Sequence, residues 1–157
     1  MERVREAGPG DLARCAELLA EAGRDAAARR GGDMLLATGA DAGAARPVID
    51  PSTAVARWTA PDGPSKLLVG LFEEFAVGVA AGTVRAATGL VECCYVEPGA
   101  RGVGVGGALT GELLAWFTRR GCTNVDAWAL PGDRETKQLL EAAGFSARLL
   151  ILHRRLP

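Results

Sequence analysis

The run from Val96 to Leu109 reads Val96-Glu97-Pro98-Gly99-Ala100-Arg101-Gly102-Val103-Gly104-Val105-Gly106-Gly107-Ala108-Leu109, with glycines at 102, 104, 106 and 107 just ahead of an apolar helical pattern. Glycine has no Cβ to hold a ligand off the main chain, so backbone N–H groups in such a run can come directly against phosphate oxygens. A helix start adds about half a positive charge at the same spot. Glycines could also serve close packing of a helix on a sheet. Each one, however, costs roughly 1 kcal/mol in helix propensity, and a cluster of them at a helix start points to an anion site.

Beside this run stands a carboxylate. Glu92 lies inside the otherwise apolar stretch Leu90 to Val96, and strand alternation places it on the face of Leu90 and Cys94. Burial there would tune it for taking a proton; the other reading is a carboxylate facing solvent or paired with Arg85. Tyr95, the only tyrosine, could donate a proton, but alternation sends it to the face opposite Glu92, where core packing is its simpler role. Asp133 precedes a helical pattern and reads as its N-cap. Cys15, Cys93, Cys94 and Cys122 sit in apolar segments without metal-ligand spacing, so they read as reduced packing thiols, and no metal is expected. The single histidine, His153, sits in an apolar terminal segment as an edge or surface residue.

The elements that must hold these groups follow from periodicity and punctuation. Arg3 to Ala7 reads as a first strand. Pro9-Gly10-Asp11 opens a helix carrying Leu12, Cys15, Leu18 and Leu19 on one face, and Glu21 to Arg30 continues as a second helix ended by Gly31-Gly32. Met34 to Ser65 is the least patterned stretch, a candidate for substrate loops, although Asp50-Pro51 caps a short helix from Ser52 to Trp58. Lys66 to Phe72 and Phe75 to Val84 flank Glu73-Glu74 as a hairpin, and Leu90 to Val96 is a third strand. Gly102 to Arg120 is a helix, Asn124 to Leu130 a strand, Asp133 to Gly144 a capped helix, and Ser146 to Arg155 a last strand. This order predicts an α/β (α+β) fold, a mixed and mostly antiparallel central sheet with helices on both faces.

The chain has 157 residues, 18 lysines and arginines and 19 acidic residues. That length suits a single domain spanning 1–157, and the charge balance gives no basic field to hold nucleic acid or an anionic membrane. Neither partner is expected. The N-terminus lacks an apolar signal region and no run is long enough to cross a bilayer, so a cytoplasmic protein is expected.

The glycine run admits two families of nucleotide ligand. Gly102, Gly104 and Gly107 fit G-x-G-x-x-G, with Asp126 where a dinucleotide fold keeps its ribose-binding acid. In that fold, though, the strand runs almost directly into the first glycine, whereas Glu97 to Arg101 intervene here. Arg101-x-x-Gly104-x-Gly106 is instead similar to the Gln/Arg-x-x-Gly-x-Gly/Ala signature of the GCN5-related N-acetyltransferases (GNAT), and it follows a strand ending in Val96-x-Pro98 as that family's does. A second block agrees. The family's later helix opens with a polar residue, usually asparagine, and closes eleven residues on with Gly-Phe, as Asp133 and Gly144-Phe145 do.

The resemblance implies acetyl-coenzyme A as co-substrate and an N-acetyltransferase acting on a primary amine of a small molecule or protein. It implies that Cys94, Tyr95 and Val96 pair with the pantetheine arm like an added strand. Arg101, Gly102, Val103, Gly104, Val105, Gly106 and Gly107 would hold the pyrophosphate, with Asp133 near the cofactor, and Glu92, by its own position in the apolar strand beside these contacts, would be the base. It also suggests a homodimer through a sheet edge. Two residues depart from the family: Asp133 replaces the asparagine, and Leu140 stands where many members carry a tyrosine that protonates the leaving thiolate. The second departure keeps an alternative in play, a degenerate acyl-coenzyme A-binding sensor or partner domain without turnover.

Overall fold

A computed structural model describes residues 1–32, 50–154 and 156–157. Five strands form one sheet in sequence order: β1 Glu2–Glu6, β2 Ser65–Phe72, β3 Phe75–Arg85, β4 Thr88–Val96 and β5 Asn124–Asp126. The first three junctions are antiparallel and β4–β5 is parallel. Among the described residues four helices accompany it: α1 Leu12–Ala27, α2 Pro51–Trp58, α3 Val105–Arg119 and α4 Arg134–Ala142. The sheet is mixed and mostly antiparallel, with helices on both faces, as the sequence predicts.

Both faces of the central strands are covered, which is why β2 reads as the continuous apolar run Leu67-Leu68-Val69-Gly70-Leu71. On one face, Leu18 and Leu19 of α1 and Val55 and Trp58 of α2 meet Leu67, Val69 and Val79. On the other, Leu109, Leu113 and Phe117 of α3 meet Leu68, Ala80 and Val91. Each of the larger side chains contributes about 1.5–3 kcal/mol by leaving water. α3 lies close because the sheet beneath it is bare. A Cβ at Gly82 would come within 2.5 Å of Phe117 Cζ, and one at Gly89 within 2.6 Å of the same ring.

Local signals account for most element ends. The β2–β3 hairpin turns at Glu73-Glu74, with Glu73 at φ +55°. Asp50 caps α2 by accepting from the Thr53 N–H at 2.9 Å, and Asp133 caps α4 by accepting from the Thr136 N–H at 3.0 Å.

Several boundaries differ from expectation. The segment from Glu21 is not a second helix, because α1 runs unbroken to Ala27 and a turn follows it through Gly31, φ +85°. α3 begins at Val105, not Gly102, since Gly104 at φ +96° cannot belong to a right-handed helix. β5 stops at Asp126, well short of Leu130. Residues 146–154 form no strand. Leu149, Leu150, Ile151 and Leu152 are exposed, because a three-residue β5 offers little edge to pair with. The Arg148 guanidinium nevertheless grips the Asp126 carboxylate at 2.8 and 2.5 Å. The loop expectation for residues 34–49, and Arg155, lie outside the described residues. No described helix is long and apolar enough to cross a membrane.

Candidate active site

β5 accompanies β4 only from Thr88 to Leu90. From Val91 to Val96 the outer edge of β4 has no strand beside it among the described residues, because the chain after Asp126 departs through Ala127–Leu130 toward α4. A cavity of about 530 Å³ opens at this split. Its walls are the β4 edge, the second half of α1, the glycine run and the start of α4. One stand-in for the missing strand is Trp128, whose indole N–H donates to the Glu92 carbonyl at 3.4 Å.

The glycine run reaches the cavity through a short turn, Pro98–Ala100, followed by Gly102 at φ +85° and Gly104 at φ +96°. These left-handed residues swing the chain so that α3 starts with its N-terminus at the cavity. The first bond back into the helix runs from Ala108 N–H to the Gly104 carbonyl at 3.0 Å, so the N–H groups of Val105, Gly106 and Gly107 have no partner within α3. A Cβ at Gly102 or Gly107 would meet nothing within 4 Å, which leaves open space for an anion.

The rest of the run is less uniform. A Cβ at Gly106 would meet Leu139 Cδ1 at 3.4 Å, so this glycine also serves packing against α4. Val105 is 1% exposed and can offer only its backbone, Val103 is 39% exposed, and neither residue lines the cavity.

Arg101 lines the cavity, but its guanidinium is held by protein partners. Its Nε donates to the Val96 carbonyl at 2.9 Å, Nη1 to Glu135 at 2.6 Å and Nη2 to Asp25 at 3.3 Å, and its guanidinium lies 5.6 Å from the centre of the Tyr95 ring. It ties β4, α1 and α4 together and takes one of the two lone pairs of the Val96 carbonyl. Arg29, which carries no motif in its alanine-rich surroundings, joins the same cluster. Its guanidinium is 3.2 Å from Asp25, 3.5 Å from Asp133 and 3.8 Å from Glu135. Asp133, besides capping α4 through Thr136, therefore faces a cation and lines the cavity.

Glu92 is 5% exposed and lines the cavity. Its surroundings depart from strict alternation because β4 pairs with β3 as Ala81↔Cys93 and Gly82↔Val91, leaving Glu92 as the extra residue of a bulge. Beyond the bulge, Cys93 and Tyr95 pack with the α1/α2 core, and Cys94 and Val96 with that of α3. The Glu92 carboxylate turns to the α2 side, where Arg57 Nη2 donates to it at 2.5 Å and the Thr83 hydroxyl donates to Oε1. Two expectations fall here. Glu92 and Cys94 do not share a face, and Tyr95 is not opposite Glu92. The partner of Glu92 is Arg57, not Arg85, which a sequence reading could not find because α2 lies 35 residues away.

Tyr95 lines the cavity, and burial, reinforced by Glu21 and Asp25, raises its hydroxyl pKa. Burial also pushes the Cys94 thiol up to about 11 and the Cys93 thiol higher, so neither is a thiolate nucleophile at neutral pH. All four cysteines are unpaired thiols, and His153 is exposed. Leu140, 8% exposed, forms part of the cavity wall and carries no proton to give. Among the described residues no group of three metal-ligating side chains comes together.

Solved structures share this architecture. A mutant of a protein from Bacillus halodurans superposes with a TM-score of 0.76 at 16% identity, covering 99% of each chain. An aminoglycoside N-acetyltransferase in complex with CoA matches with a TM-score of 0.68 at 16% identity, over 99% of this chain and 95% of that one. Glucosamine-6-phosphate N-acetyltransferase from Arabidopsis thaliana matches with a TM-score of 0.67 at 14% identity, over 100% of this chain and 99% of its own. At such identities the likeness is one of fold. No curated protein sequence matches the chain. The family model described as the acetyltransferase (GNAT) family matches residues 36–145, a span that holds the split strands, the glycine run and the capped α4, and the chain belongs to that family.

Proposed function

We propose that the protein transfers the acetyl group of acetyl-coenzyme A to a primary amine of a small molecule or protein. The observation that carries this reading is the convergence of three features on one cavity: the bare β4 edge, the N–H groups at the start of α3 that no helical bond uses, and Glu92, a buried residue of the cavity wall. The edge suits the amides of a pantetheine arm, by the same pairing that adds a peptide to a sheet. The helix start suits a pyrophosphate. Glu92 stands beside the edge where a thioester carbonyl would lie.

In the transfer, the neutral amine nitrogen attacks the thioester carbonyl, the carbon–sulfur bond breaks, and the sulfur leaves as thiolate while the amine proton passes to Glu92. An alkyl thiol has a pKa near 8.5, so releasing it unprotonated near pH 7 costs only about 2 kcal/mol. Leu140 therefore does not bar the reaction. The aminoglycoside and glucosamine-6-phosphate enzymes of similar fold make small amines the first acceptors to try.

Leu140, and the engagement of both Glu92 oxygens by Arg57 and Thr83, favour a second reading, an acyl-coenzyme A sensor without turnover. Incubation of the protein with acetyl-coenzyme A and a panel of amines, with free thiol followed over time, separates the two. Thiol release that depends on an amine supports the enzyme. Tight binding without release supports the sensor, and absence of binding refutes both.

A further inference from the structure

A base that is 5% exposed must return its proton to water before the next turnover, and the two oxygens of Glu92 differ in their means of doing so. Oε2 faces Arg57, a guanidinium that only donates hydrogen bonds and keeps its protons at any working pH. Oε1 faces the Thr83 hydroxyl, and Thr83 Oγ1 lies 2.8 Å from Ser65 Oγ. A hydroxyl both donates and accepts. Unlike Glu92, Thr83 and Ser65 are only half-buried, and they stand at cross-strand partner positions of β3 and β2, so the pair links the buried carboxylate to residues that water reaches.

We propose that Glu92, Thr83 and Ser65 form a proton relay that discharges the base on the side away from Arg57. This rests on the acetyltransferase reading above. When Glu92 is protonated, its Oε1–H passes to Thr83 Oγ1 as the Thr83 proton passes to Ser65 Oγ and the Ser65 proton to a solvent water. The carboxylate is restored, each hydroxyl keeps one hydrogen, and the hydroxyls then rotate back. Arg57 is a positioning residue in this scheme. It fixes Oε2 and thereby presents Oε1 to Thr83.

The test compares wild type with Thr83→Val, Thr83→Ser and Ser65→Ala. Thr83→Val and Ser65→Ala should each lower kcat about tenfold, a modest share of the 10²–10⁴ ascribed to a positioned base. KM for acetyl-coenzyme A should stay unchanged, added imidazole should restore the rate by taking the proton from Glu92, and Thr83→Ser should remain near wild type. Wild-type turnover in Thr83→Val, or a loss that imidazole does not restore, overturns the relay, the latter assigning Thr83 a merely structural part.

A second measurement is independent of turnover. The carboxyl ¹³C resonance of Glu92, assigned by its loss in Glu92→Gln, should be one exchange-averaged line in wild type and broaden or split in Thr83→Val as proton exchange slows. The same exchange regime in both proteins overturns the relay even when no acceptor turns over. Absence of turnover in wild type alone refutes the acetyltransferase reading and leaves the relay to be decided by the resonance.

Discussion

A carboxylate added at position 107 would stand in the first turn of α3, in space where a Cβ meets nothing within 4 Å. A helix start favours negative charge, so Gly107→Asp should fold with an unchanged or slightly raised Tm while repelling a pyrophosphate. Calorimetry should find coenzyme A binding lost, and retained affinity would move the anion site elsewhere. Gly104 is a poorer position for this test, because at φ +96° any side chain is strained and the Glu2 carboxylate lies 3.6 Å from its Cβ position. At Glu92 the expected change is in rate. Glu92→Gln should lower kcat by roughly 10²–10⁴-fold with cofactor affinity nearly intact. Because Leu140 offers no proton, kcat/KM in wild type should rise with pH and then level off. An alkaline fall that disappears in Tyr95→Phe would instead make Tyr95 the acid.

The fit of α3 on the sheet depends on absent side chains. Gly82→Ala places a methyl group against the Phe117 ring, which is fully buried and hemmed in by Trp116 at 5.0 Å between ring centres. Overpacking of this kind costs about 1–3 kcal/mol, and urea unfolding should show a lower midpoint with little change in slope. α4 is fixed differently, by its cap. Asp133→Ala removes the acceptor for the Thr136 N–H and should cost about 0.5–2 kcal/mol. Asp133→Asn keeps that acceptor, so its stability should stay close to wild type, and a loss of coenzyme A affinity in Asp133→Asn would give the charge a role in binding.

Two ion pairs contribute to the response of the molecule to acid. Asp11, at the head of α1, is held below its ordinary value of 3.8 by the hydrogen bonds from Arg5 of β1. Asp126, at the end of β5, is held below the same value by Arg148. A carboxyl depressed in the folded state contributes stability that is full above its unfolded pKa and is lost as pH falls through the folded one. Urea midpoints should therefore hold steady near neutrality and drop below about pH 4. Arg148→Gln should flatten part of that drop, and an identical acid profile in the variant would mean that Asp126 titrates as it does in the unfolded chain.

Much of this was written locally. The hairpin turn at Glu73-Glu74, the caps at Asp50 and Asp133, and the Gly102–Gly107 cluster all depend on residues within a few positions of one another, and such signals survive reading one stretch at a time. The fold class followed from their order. What the sequence could not settle depends on partners far along the chain. Strand alternation assigns Glu92 to the face of Cys94, but a one-residue bulge, set by the register against β3, breaks the alternation, and only the packing of α2 brings Arg57 to the carboxylate. Arg101 belongs to the motif by spacing, yet its guanidinium is drawn to Asp25 and Glu135 because α1 and α4 close around it. The apolar run Leu149 to Leu152 has the composition of a strand, but a strand exists only beside another, and β5 ends after three residues. Residue type and spacing thus singled out the glycine run and the strand carboxylate as candidates, while side-chain direction and pairing were decided by tertiary contacts, since a hydrogen bond needs a partner whose position no local pattern encodes.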